Sequence, residues 1–203
     1  LNINNARKLD KTINKIDPHL VFHLAAQPLV RKSYKEPIET FQTNVMGTAN
    51  TLDSSLKGKS IAGIVAITTD KVYENKELGN RFKESDALAG SDPYSESKVA
   101  AEAAVRTWQR ISDLENGPKI VSLRAGNVIG GGDWAENRIM PDLVRGFISK
   151  QPIQIRNPNS TRPWQHVLDP LHGYLLTLQC LLEGSSVDSI NFGPSEKSLE
   201  VRE

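Results

Sequence analysis

The order of helical and extended patterns along this chain constrains its fold more than any other feature. Helical patterns, with apolar residues three or four positions apart, alternate with short and nearly continuous apolar runs. Such runs are typical of strands buried on both faces of a parallel sheet. The helical patterns cover residues 6–16, 38–56 and 94–111, and the apolar runs cover residues 20–24, 61–67 and 120–123. This alternation predicts an α/β fold, a doubly wound parallel sheet with helices on both faces.

Beyond residue 125 the pattern becomes less regular. We predict a helix over residues 138–150 with Pro141 in its first turn, a short strand over 152–155, a helix over 170–182 and a strand over 189–192. Polar loops join these segments, and a longer polar loop covers residues 74–90. We therefore divide the chain into residues 1–125, which form most of the sheet, and residues 126–203, which begin a second part interleaved with the first.

Charge and composition exclude several classes of partner. The formal net charge of +1 provides no basic or acidic field for nucleic acid or a membrane surface. No apolar run approaches the ~20 residues that a membrane span needs. The single cysteine, Cys180, lies in an apolar helical pattern, so we expect a core position and a cytoplasmic protein. Because the sequence does not open with Met, we expect a fragment of a longer protein.

A tyrosine and a lysine four residues apart are the first candidates for chemistry. Asp92 is a favourable N-cap and Pro93 suits the first helical position, so a helix should begin here. Tyr94 and Lys98 then lie on one face of that helix. A positive charge near a phenol favours the phenolate, which suits the acid/base work of a hydroxyl-to-carbonyl redox step. The alternative is a surface tyrosine and lysine on an amphipathic helix, because this spacing often arises by chance.

Small and polar residues follow the first three predicted strands. They are Ala25-Ala26-Gln27, Thr69-Asp70-Lys71 and Ala125-Gly126-Asn127. Because ligands of open α/β sheets bind outside the carboxyl ends of the strands, these residues and the start of the Tyr94 helix should share one rim. Thr69 could hydrogen-bond a substrate oxygen beside Asp70 acting as an acid, and the alternative is an ordinary Asx-type turn. An acid at neutral pH needs the pKa of Asp70 raised by burial or by negative neighbours, and Lys71 could oppose that.

Positively charged residues of the second half form a candidate phosphate site. Arginine side chains pair well with phosphate oxygens, although solvated surface arginines are the commoner case. The candidates are Arg138, Arg156, Arg162 and His166. His23 lies inside a predicted strand, where we expect a hydrogen-bonded core position, and Trp134 could either stack on a sugar or base or pack in the core. No spacing of histidine or cysteine indicates a metal site.

Together these residues resemble the short-chain dehydrogenase/reductase superfamily, and within it the extended branch of nucleotide-sugar enzymes, which have a Rossmann-like fold. The pair Tyr94 and Lys98 with the upstream Thr69 carries this resemblance, as do residues 23–27 (HLAAQ) and 43–48 (TNVMGT). More narrowly, the chain is similar to the CDP-glucose 4,6-dehydratases. That similarity rests on residues 26–31 (AQPLVR), 69–75 (TDKVYEN), 124–134 (RAGNVIGGGDW), 156–158 (RNP) and 161–167 (TRPWQHV).

The resemblance implies an NAD-dependent lyase of deoxysugar synthesis, with no net redox change. Tyr94, helped by Lys98 and Thr69, would remove the proton of the sugar C4 hydroxyl while hydride passes to NAD. Asp70 would donate a proton to the hydroxyl that leaves C6 as water. The hydride would then return to C6 and give a 4-keto-6-deoxy sugar. In the related dTDP-glucose enzymes a glutamate follows the acid and removes the C5 proton; Lys71 stands there in this chain and could serve only if burial depresses its pKa.

The resemblance also implies binding residues and an assembly. NAD would be held by Ala25, Ala26, Gln27, Asn44, Tyr94 and Lys98, and the substrate CDP-glucose by Asn127, Arg138, Arg156, Arg162 and His166. In this reading residues 1–125 are the remainder of an NAD-binding Rossmann domain, and residues 126–203 begin the sugar-nucleotide-binding part. The helices over residues 38–56 and 94–111 would pair with a second copy in a homodimer or higher homo-oligomer.

Two departures from the family pattern bear on this reading. The glycine-rich phosphate loop is absent from these 203 residues, so the chain alone should bind a dinucleotide poorly and does not reveal a preference for NAD over NADP. Asn2-Ile3 stands where the family usually has Asp-Ile, which weakens an adenine contact. The alternatives are another epimerase or dehydratase of the branch and a non-catalytic nucleotide-sugar-binding module. Asp70 favours a dehydratase, because an epimerase expels no water.

Overall fold

Four parallel strands form the central sheet in the computed structural model, which describes residues 1–76, 81–195 and 199–202. In spatial order they are β1 (Leu20–His23), β2 (Gly63–Ile67), β3 (Lys119–Ala125) and β7 (Ser189–Phe192). The three predicted apolar runs and the predicted strand over 189–192 therefore all lie in one sheet, which confirms the predicted architecture. Part of the predicted loop over 74–90, residues 77–80, lies outside the described residues.

The described part of the chain contains seven α-helices. They are α1 (Ala6–Ile16), α2 (Val30–Lys35), α3 (Pro37–Phe41), α4 (Gly47–Leu56), α5 (Pro93–Leu114), α6 (Ile139–Ser149) and α7 (Leu168–Leu182). The periodicity predicted α1, α5, α6 and α7, and a single helix where α3 and α4 lie; it did not predict α2, whose six residues are too short to show a repeat. Pro141 is the third residue of α6, within its first turn as predicted.

A π-helical segment, Gln42–Met46, joins α3 to α4. The sequence predicted one unbroken helix over residues 38–56, and the structure corrects this. The segment contains Asn44, whose fully buried side chain hydrogen-bonds groups outside its own helix. One-turn π segments within α-helices are often found at functional sites, and this one lies beside the end of β1.

Apolar side chains pack on both faces of the sheet. On one face Ile64 and Ala66 of β2 pack in a cluster with residues of α1, α4 and α5, including Leu52 and Val105. On the other face Val65 lies in a second cluster, together with Leu178 of α7. Because neighbouring residues of β2 point to opposite faces and both are buried, the strand needs apolar residues at every position.

Three local predictions were wrong. Leu20 and Val21 of β1 are not fully buried, because β1 is an edge strand of this sheet. Residues 152–155 form no strand, since Ile153 packs against Gly146 of α6. Cys180 is exposed, because α7 turns a different face, which includes Leu178, toward the sheet.

The second part of the chain adds two small sheets, which the sequence did not reveal. The strand β4 (Val128–Ile129) pairs in parallel with β6 (Gln165–His166), and β5 (Thr161–Arg162) pairs antiparallel with β8 (Leu199–Glu200). Between these strands, α7 and β7 return to the central sheet. Among the described residues, no helix combines the length and hydropathy of a membrane span.

Candidate active site

The carboxyl ends of β1, β2 and β3 lie side by side, and the short 3-10 turn Asp70–Val72 follows β2 at this rim. The N-terminal part of α5 packs against the same turn. This arrangement confirms that the predicted strand-end residues share one edge of the sheet. The site can therefore be built from the turn, the helix and the two neighbouring strand ends.

The start of α5 is fixed by its capping residues. Asp92 Oδ1 accepts the N–H groups of Tyr94 at 2.9 Å and Ser95 at 3.0 Å, and Ser95 Oγ accepts the N–H of Asp92 at 3.0 Å. This is a capping box, and Pro93 occupies the first helical position as predicted. A Cβ at Gly90 would collide with the backbone at Glu96, so the approach to the helix requires glycine. The orientation of Tyr94 is thus set by local chemistry.

The Thr69 hydroxyl connects the turn to the helix. Thr69 Oγ1 donates to Asp70 Oδ1 at 3.1 Å and accepts the N–H of Lys71 at 3.4 Å. Thr69 also lies close enough to the Tyr94 phenol to lower its pKa. A single small side chain therefore lies beside both the carboxyl and the phenol.

Burial dominates the electrostatics of Asp70. It raises the pKa of this carboxyl, while the Thr69 hydrogen bond and the positive charges of Lys71 and Arg162 oppose the increase. A Cβ at Gly126 would lie 3.2 Å from Asp70 Oδ2, so the residue after β3 leaves the carboxyl room. The pKa is shifted in the direction that a proton donor at neutral pH needs.

Burial also raises the pKa of Tyr94, to about 12, against the lowering effects of the Thr69 side chain and of the positive charge of Arg138. The negative charge of Asp70 adds to the increase. In this state Tyr94 is therefore a protonated phenol. Its use as a base requires additional positive charge close to it.

Lys98 is a buried ammonium group one helical turn beyond Tyr94. Its Nζ donates to the carbonyl of Ile67 at 3.2 Å, and burial lowers its pKa to about 8 although Glu102 opposes this. Among the described residues that carbonyl is the acceptor that Lys98 contacts, so its other N–H donors are available to a ligand. Burial and the charge of Lys98 lower the pKa of His23 to about 4; His23 hydrogen-bonds Thr48 at 2.8 Å, a core role as predicted.

Gln27 and Asn44 support the open end of β1. Asn44 Oδ1 accepts the N–H of Gln27 at 2.7 Å, and Asn44 Nδ2 donates to the Gln27 carbonyl at 3.0 Å and to Ser97 Oγ at 2.9 Å. The Gln27 side chain binds Leu29 and Thr40, at the beginning of α2 and within α3. Both side chains are therefore engaged within the protein, and their direct contact with a cofactor stays a prediction.

The residues at this rim suit a dinucleotide ribose and nicotinamide. Ala25 is exposed and Ala26 half-buried, so the backbone after β1 is open to a ligand. Donors on the Lys98 ammonium and the Tyr94 phenol match hydroxyl and carbonyl oxygens. Among the described residues no group of three or more His, Cys, Asp or Glu side chains could bind a metal.

Two of the arginines predicted to bind substrate, Arg162 and Arg138, lie close enough to Asp70 and Tyr94 to influence their pKa values. The charge of Arg162 lowers the pKa of Asp70, and the charge of Arg138 lowers the pKa of Tyr94. Arg138 also forms an ion pair with Asp133 at 2.8 Å. Asn127 follows β3 at the same edge, and its carbonyl accepts the N–H of Gln165.

Arg156 lies in a different group of side chains. Its Nη2 donates to the carbonyl of Asn137 at 3.3 Å, and Arg31 Nη1 donates to Asn137 Oδ1 at 3.0 Å. The sequence did not single out Arg31 as a site residue, and only its position after the end of β1 could have suggested it. Two guanidinium groups at one amide form a basic surface next to Arg138.

Three further candidates lie elsewhere or lack the predicted surroundings. His166 lines a cavity of about 540 Å³ together with Trp164 and Asp169, and neither Asp70 nor Tyr94 lines that cavity. Lys71 is exposed, so the burial on which its role as a base depends is missing from this structure. Trp134 is exposed as well, which excludes the core-packing alternative. The core of the site is therefore Thr69, Asp70, Tyr94 and Lys98.

The chain matches the family profile described as GDP-mannose 4,6 dehydratase over residues 1–190. Among curated proteins it is 44% identical to CDP-glucose 4,6-dehydratase of Salmonella typhimurium, over 99% of this chain and 58% of that protein. It is 30% identical to dTDP-glucose 4,6-dehydratase of Neisseria gonorrhoeae, over 92% of this chain and 54% of that protein. The chain thus spans a little over half the length of these relatives.

Solved structures share the fold over the whole chain. A dTDP-glucose 4,6-dehydratase from Streptomyces venezuelae, the DesIV double mutant with NAD and DAU bound, superimposes with a TM-score of 0.86. It is 21% identical, covering 100% of this chain and 59% of that chain. MoeE5 in complex with UDP-glucose and NAD gives 0.84 at 24% identity, covering 98% and 63%. At these identities the structures establish the fold, which is Rossmann-like.

Proposed function

This chain belongs to the GDP-mannose 4,6-dehydratase family, and on that basis we propose that the full-length protein is an NAD-dependent CDP-glucose 4,6-dehydratase. It would remove water from CDP-glucose to give CDP-4-keto-6-deoxyglucose, a precursor of deoxysugars such as those of lipopolysaccharide. The observation that carries the proposal is the half-buried carboxyl of Asp70, hydrogen-bonded to Thr69, which also lies beside Tyr94. A hydro-lyase needs that acid, and an epimerase does not.

The first step needs a base for the C4 hydroxyl of the sugar. Tyr94 would accept that proton, with Thr69 beside it and Lys98 one turn further along the helix. When bound, NAD supplies the hydride acceptor at C4 and the hydride donor at C6. Because burial holds the pKa of Tyr94 at about 12, the positive charges near it must lower this value in the complex.

The second step eliminates water across C5 and C6: the C5 proton, acidified by the C4 ketone, must leave to a base, and the C6 hydroxyl needs an acid. Asp70 would donate its proton there, since burial raises the pKa of the carboxyl and keeps it protonated to higher pH than an exposed aspartate. The Thr69 hydroxyl orients the carboxyl from the side of Tyr94. The proposed roles therefore divide the site into a base on α5 and an acid on the turn after β2.

Positively charged residues of the second part would bind the nucleotide diphosphate. Arg138 and Arg162 act electrostatically on Tyr94 and Asp70, so a phosphate between them would lie next to the reacting sugar. Arg156 would extend this surface, and Asn127 would contribute from the end of β3. In this proposal residues 1–125 bind the cofactor and residues 126–203 begin the substrate-binding part.

We also propose that the protein forms a homodimer and resides in the cytoplasm. The helix formed by α3, the π segment and α4 exposes Ile38 and Met46, and α5 exposes Ile111 and Leu114. Apolar side chains on two neighbouring helices would be buried by the same helices of a second copy. An exposed thiol, Cys180, is consistent with a reducing compartment.

The test is a comparison of substrates with the full-length protein and NAD. CDP-glucose, dTDP-glucose and UDP-glucose are supplied separately, and products are identified by mass spectrometry and NMR. We expect loss of one water from CDP-glucose and formation of the C4 ketone. A C4 epimer without loss of water would favour an epimerase, dehydration of another nucleotide sugar would correct the substrate, and binding without turnover of any of them would favour a binding module.

A further inference from the structure

A buried ion pair between α5 and β3 lies behind the site, and the proposed chemistry does not use it directly. Glu102 is 1% exposed and Arg124 is 4% exposed. Arg124 Nε donates to Glu102 Oε1 at 2.9 Å, and Nη2 donates to Oε2 at 2.8 Å. Burial alone would raise the pKa of Glu102, but hydrogen bonds and the Arg124 charge outweigh it, so the carboxylate stays ionised.

Glu102 holds the chain immediately before the reacting residues. Thr68 Oγ1 donates to Glu102 Oε1 at 2.5 Å, and Thr68 directly precedes Thr69. Ser122 Oγ of β3 donates to Glu102 Oε2 at 3.0 Å. Four hydrogen bonds therefore fix the carboxylate, and through Thr68 they fix the end of β2.

Arg124 holds the chain immediately after the turn that carries Asp70. Its Nη1 donates to the Tyr73 hydroxyl at 2.6 Å, and Tyr73 is the first residue after the Asp70–Val72 turn. The Tyr73 hydroxyl in turn donates to Asn191 Oδ1 at 2.7 Å, and its ring stacks on Phe82 at 4.8 Å between centroids. The N–H of Tyr73 donates back to the carbonyl of Asp70 at 3.3 Å.

The ion pair also involves α5, the helix that carries Tyr94, the proposed base. Glu102 lies on α5 one turn beyond Lys98, which itself lies one turn beyond Tyr94. The pair therefore connects α5 to both sides of the Thr69–Asp70 dipeptide. A rigid connection between α5 and the turn after β2 fixes the distance between the Asp70 carboxyl and the Tyr94 phenol.

We propose that Glu102 and Arg124 are positioning residues that set the placement of Asp70 relative to Tyr94, acting on Asp70 through Tyr73. The inference rests on the proposed function, because it assigns the pair to the elimination step. A misplacement of about 1 Å at a reacting group can slow a step by ~100-fold. A pair that only stabilises the fold would change the unfolding temperature and leave the relative rates of the two chemical steps unchanged.

The sharpest variant is Tyr73→Phe in the full-length protein. Removing Arg124 itself would leave the Glu102 carboxylate buried without its partner and could unfold the protein. Tyr73→Phe keeps the ring on Phe82 and removes the oxygen that joins the turn to Arg124 and to Asn191. Tyr174→Phe is the matched control, since Tyr174 is a buried tyrosine of α7 in the second core cluster, away from the turn.

Two measurements decide the proposal. Hydrogen exchange of a peptide spanning residues 68–76, followed by mass spectrometry, reports the order of the turn without any substrate. We expect faster exchange in Tyr73→Phe than in the wild type or Tyr174→Phe. With CDP-glucose and NAD in a single turnover, we expect NADH to form at the wild-type rate and to persist, because elimination becomes about 10- to 100-fold slower.

Unchanged exchange in Tyr73→Phe would overturn the proposal whatever the catalytic result. Faster exchange with both chemical steps slowed equally would overturn the assignment to elimination. A wild-type protein that dehydrates no nucleotide sugar would instead refute the proposed function, and the exchange comparison would still decide whether the pair orders the turn.

Discussion

Asp70 and Tyr94 share one neighbour, the Thr69 hydroxyl, which donates to the Asp70 carboxyl at 3.1 Å and lowers the pKa of Tyr94. Asp70 lies in the turn after β2 and Tyr94 lies in the first turn of α5. The polar loop predicted over residues 74–90 separates them in sequence. Burial raises the pKa of both groups, that of Tyr94 to about 12. The site therefore pairs a carboxyl whose pKa is shifted in the direction that a proton donor needs with a phenol that becomes a base when positive charge lowers its pKa.

Thr69→Val should slow both chemical steps, by about 10- to 100-fold. The Thr69 hydrogen bond lowers the pKa of Asp70 and of Tyr94, so its loss raises both. Formation of the Tyr94 phenolate should then require a higher pH. The apparent pKa that the pH–rate profile reports for the base should therefore increase. Thr69→Ser keeps the hydroxyl and should stay near wild type. A Val variant with an unshifted profile would contradict the bridging role.

Asp70→Asn should stabilise the fold at neutral pH. The pKa of Asp70 is raised in the folded protein above its ordinary value of 3.8, so at pH 7 ionisation of this carboxyl favours the unfolded state. This loss of folding stability is absent below the unfolded pKa and reaches its full size as the pH rises through the folded pKa. The thermal unfolding midpoint of Asp70→Asn should exceed that of wild type at pH 7, and the difference should shrink near pH 3.5. A lower midpoint at pH 7 would contradict the burial of this carboxyl.

His23 should make the fold sensitive to acid. Its pKa is lowered from 6.5 to about 4, chiefly by burial. Between these two pH values the imidazole is therefore protonated in the unfolded state and neutral in the folded state. Stability is therefore lost as the pH falls from 6.5 toward 4, and the loss reaches roughly 3 kcal/mol below that range. Urea unfolding of His23→Gln, which keeps a donor for Thr48, should show a weaker dependence between pH 7 and 4.5. If the free energy of unfolding changed equally with pH in His23→Gln and in wild type, groups other than His23 would control the stability in acid.

The proposed dimer can be tested with one charge on each helix. Met46→Glu and Leu114→Glu place carboxylates on exposed apolar positions of the two helices, and an interface there would have to bury both. We expect the full-length double variant to be monomeric by light scattering, with an unchanged circular dichroism spectrum. Leu175→Glu, at an exposed apolar position of α7, is the control and should stay dimeric. A dimeric double variant would place the interface elsewhere.

Local sequence signals predicted the fold and the start of the site. The capping of α5 depends on residues within one turn of each other, so Asp92 and Pro93 revealed it. The convergence of strand ends followed from parallel topology alone, which brought Thr69 and Asp70 to the helix that carries Tyr94. Their burial and shared hydroxyl could not be read from spacing, since they depend on packing across the sheet.

What the sequence did not show depends on contacts between distant segments. Arg124 stands in an apolar strand pattern and Glu102 in a helical one, and nothing local indicates that they pair. The missing strand at 152–155 has the same origin, because Ile153 packs against Gly146 instead of joining a sheet. His166 was grouped with the arginines by its nearness in sequence, and the structure places it in a cavity that neither Asp70 nor Tyr94 lines.

The most direct test of the acid–base division is a rapid-mixing comparison of full-length wild type and Asp70→Asn with NAD and CDP-glucose. NADH absorbance reports oxidation at C4, and quenched samples report loss of water. We predict that Asp70→Asn forms NADH at close to the wild-type rate but releases the dehydrated ketosugar at least ~100-fold more slowly. Wild-type release of that product by Asp70→Asn would contradict the account.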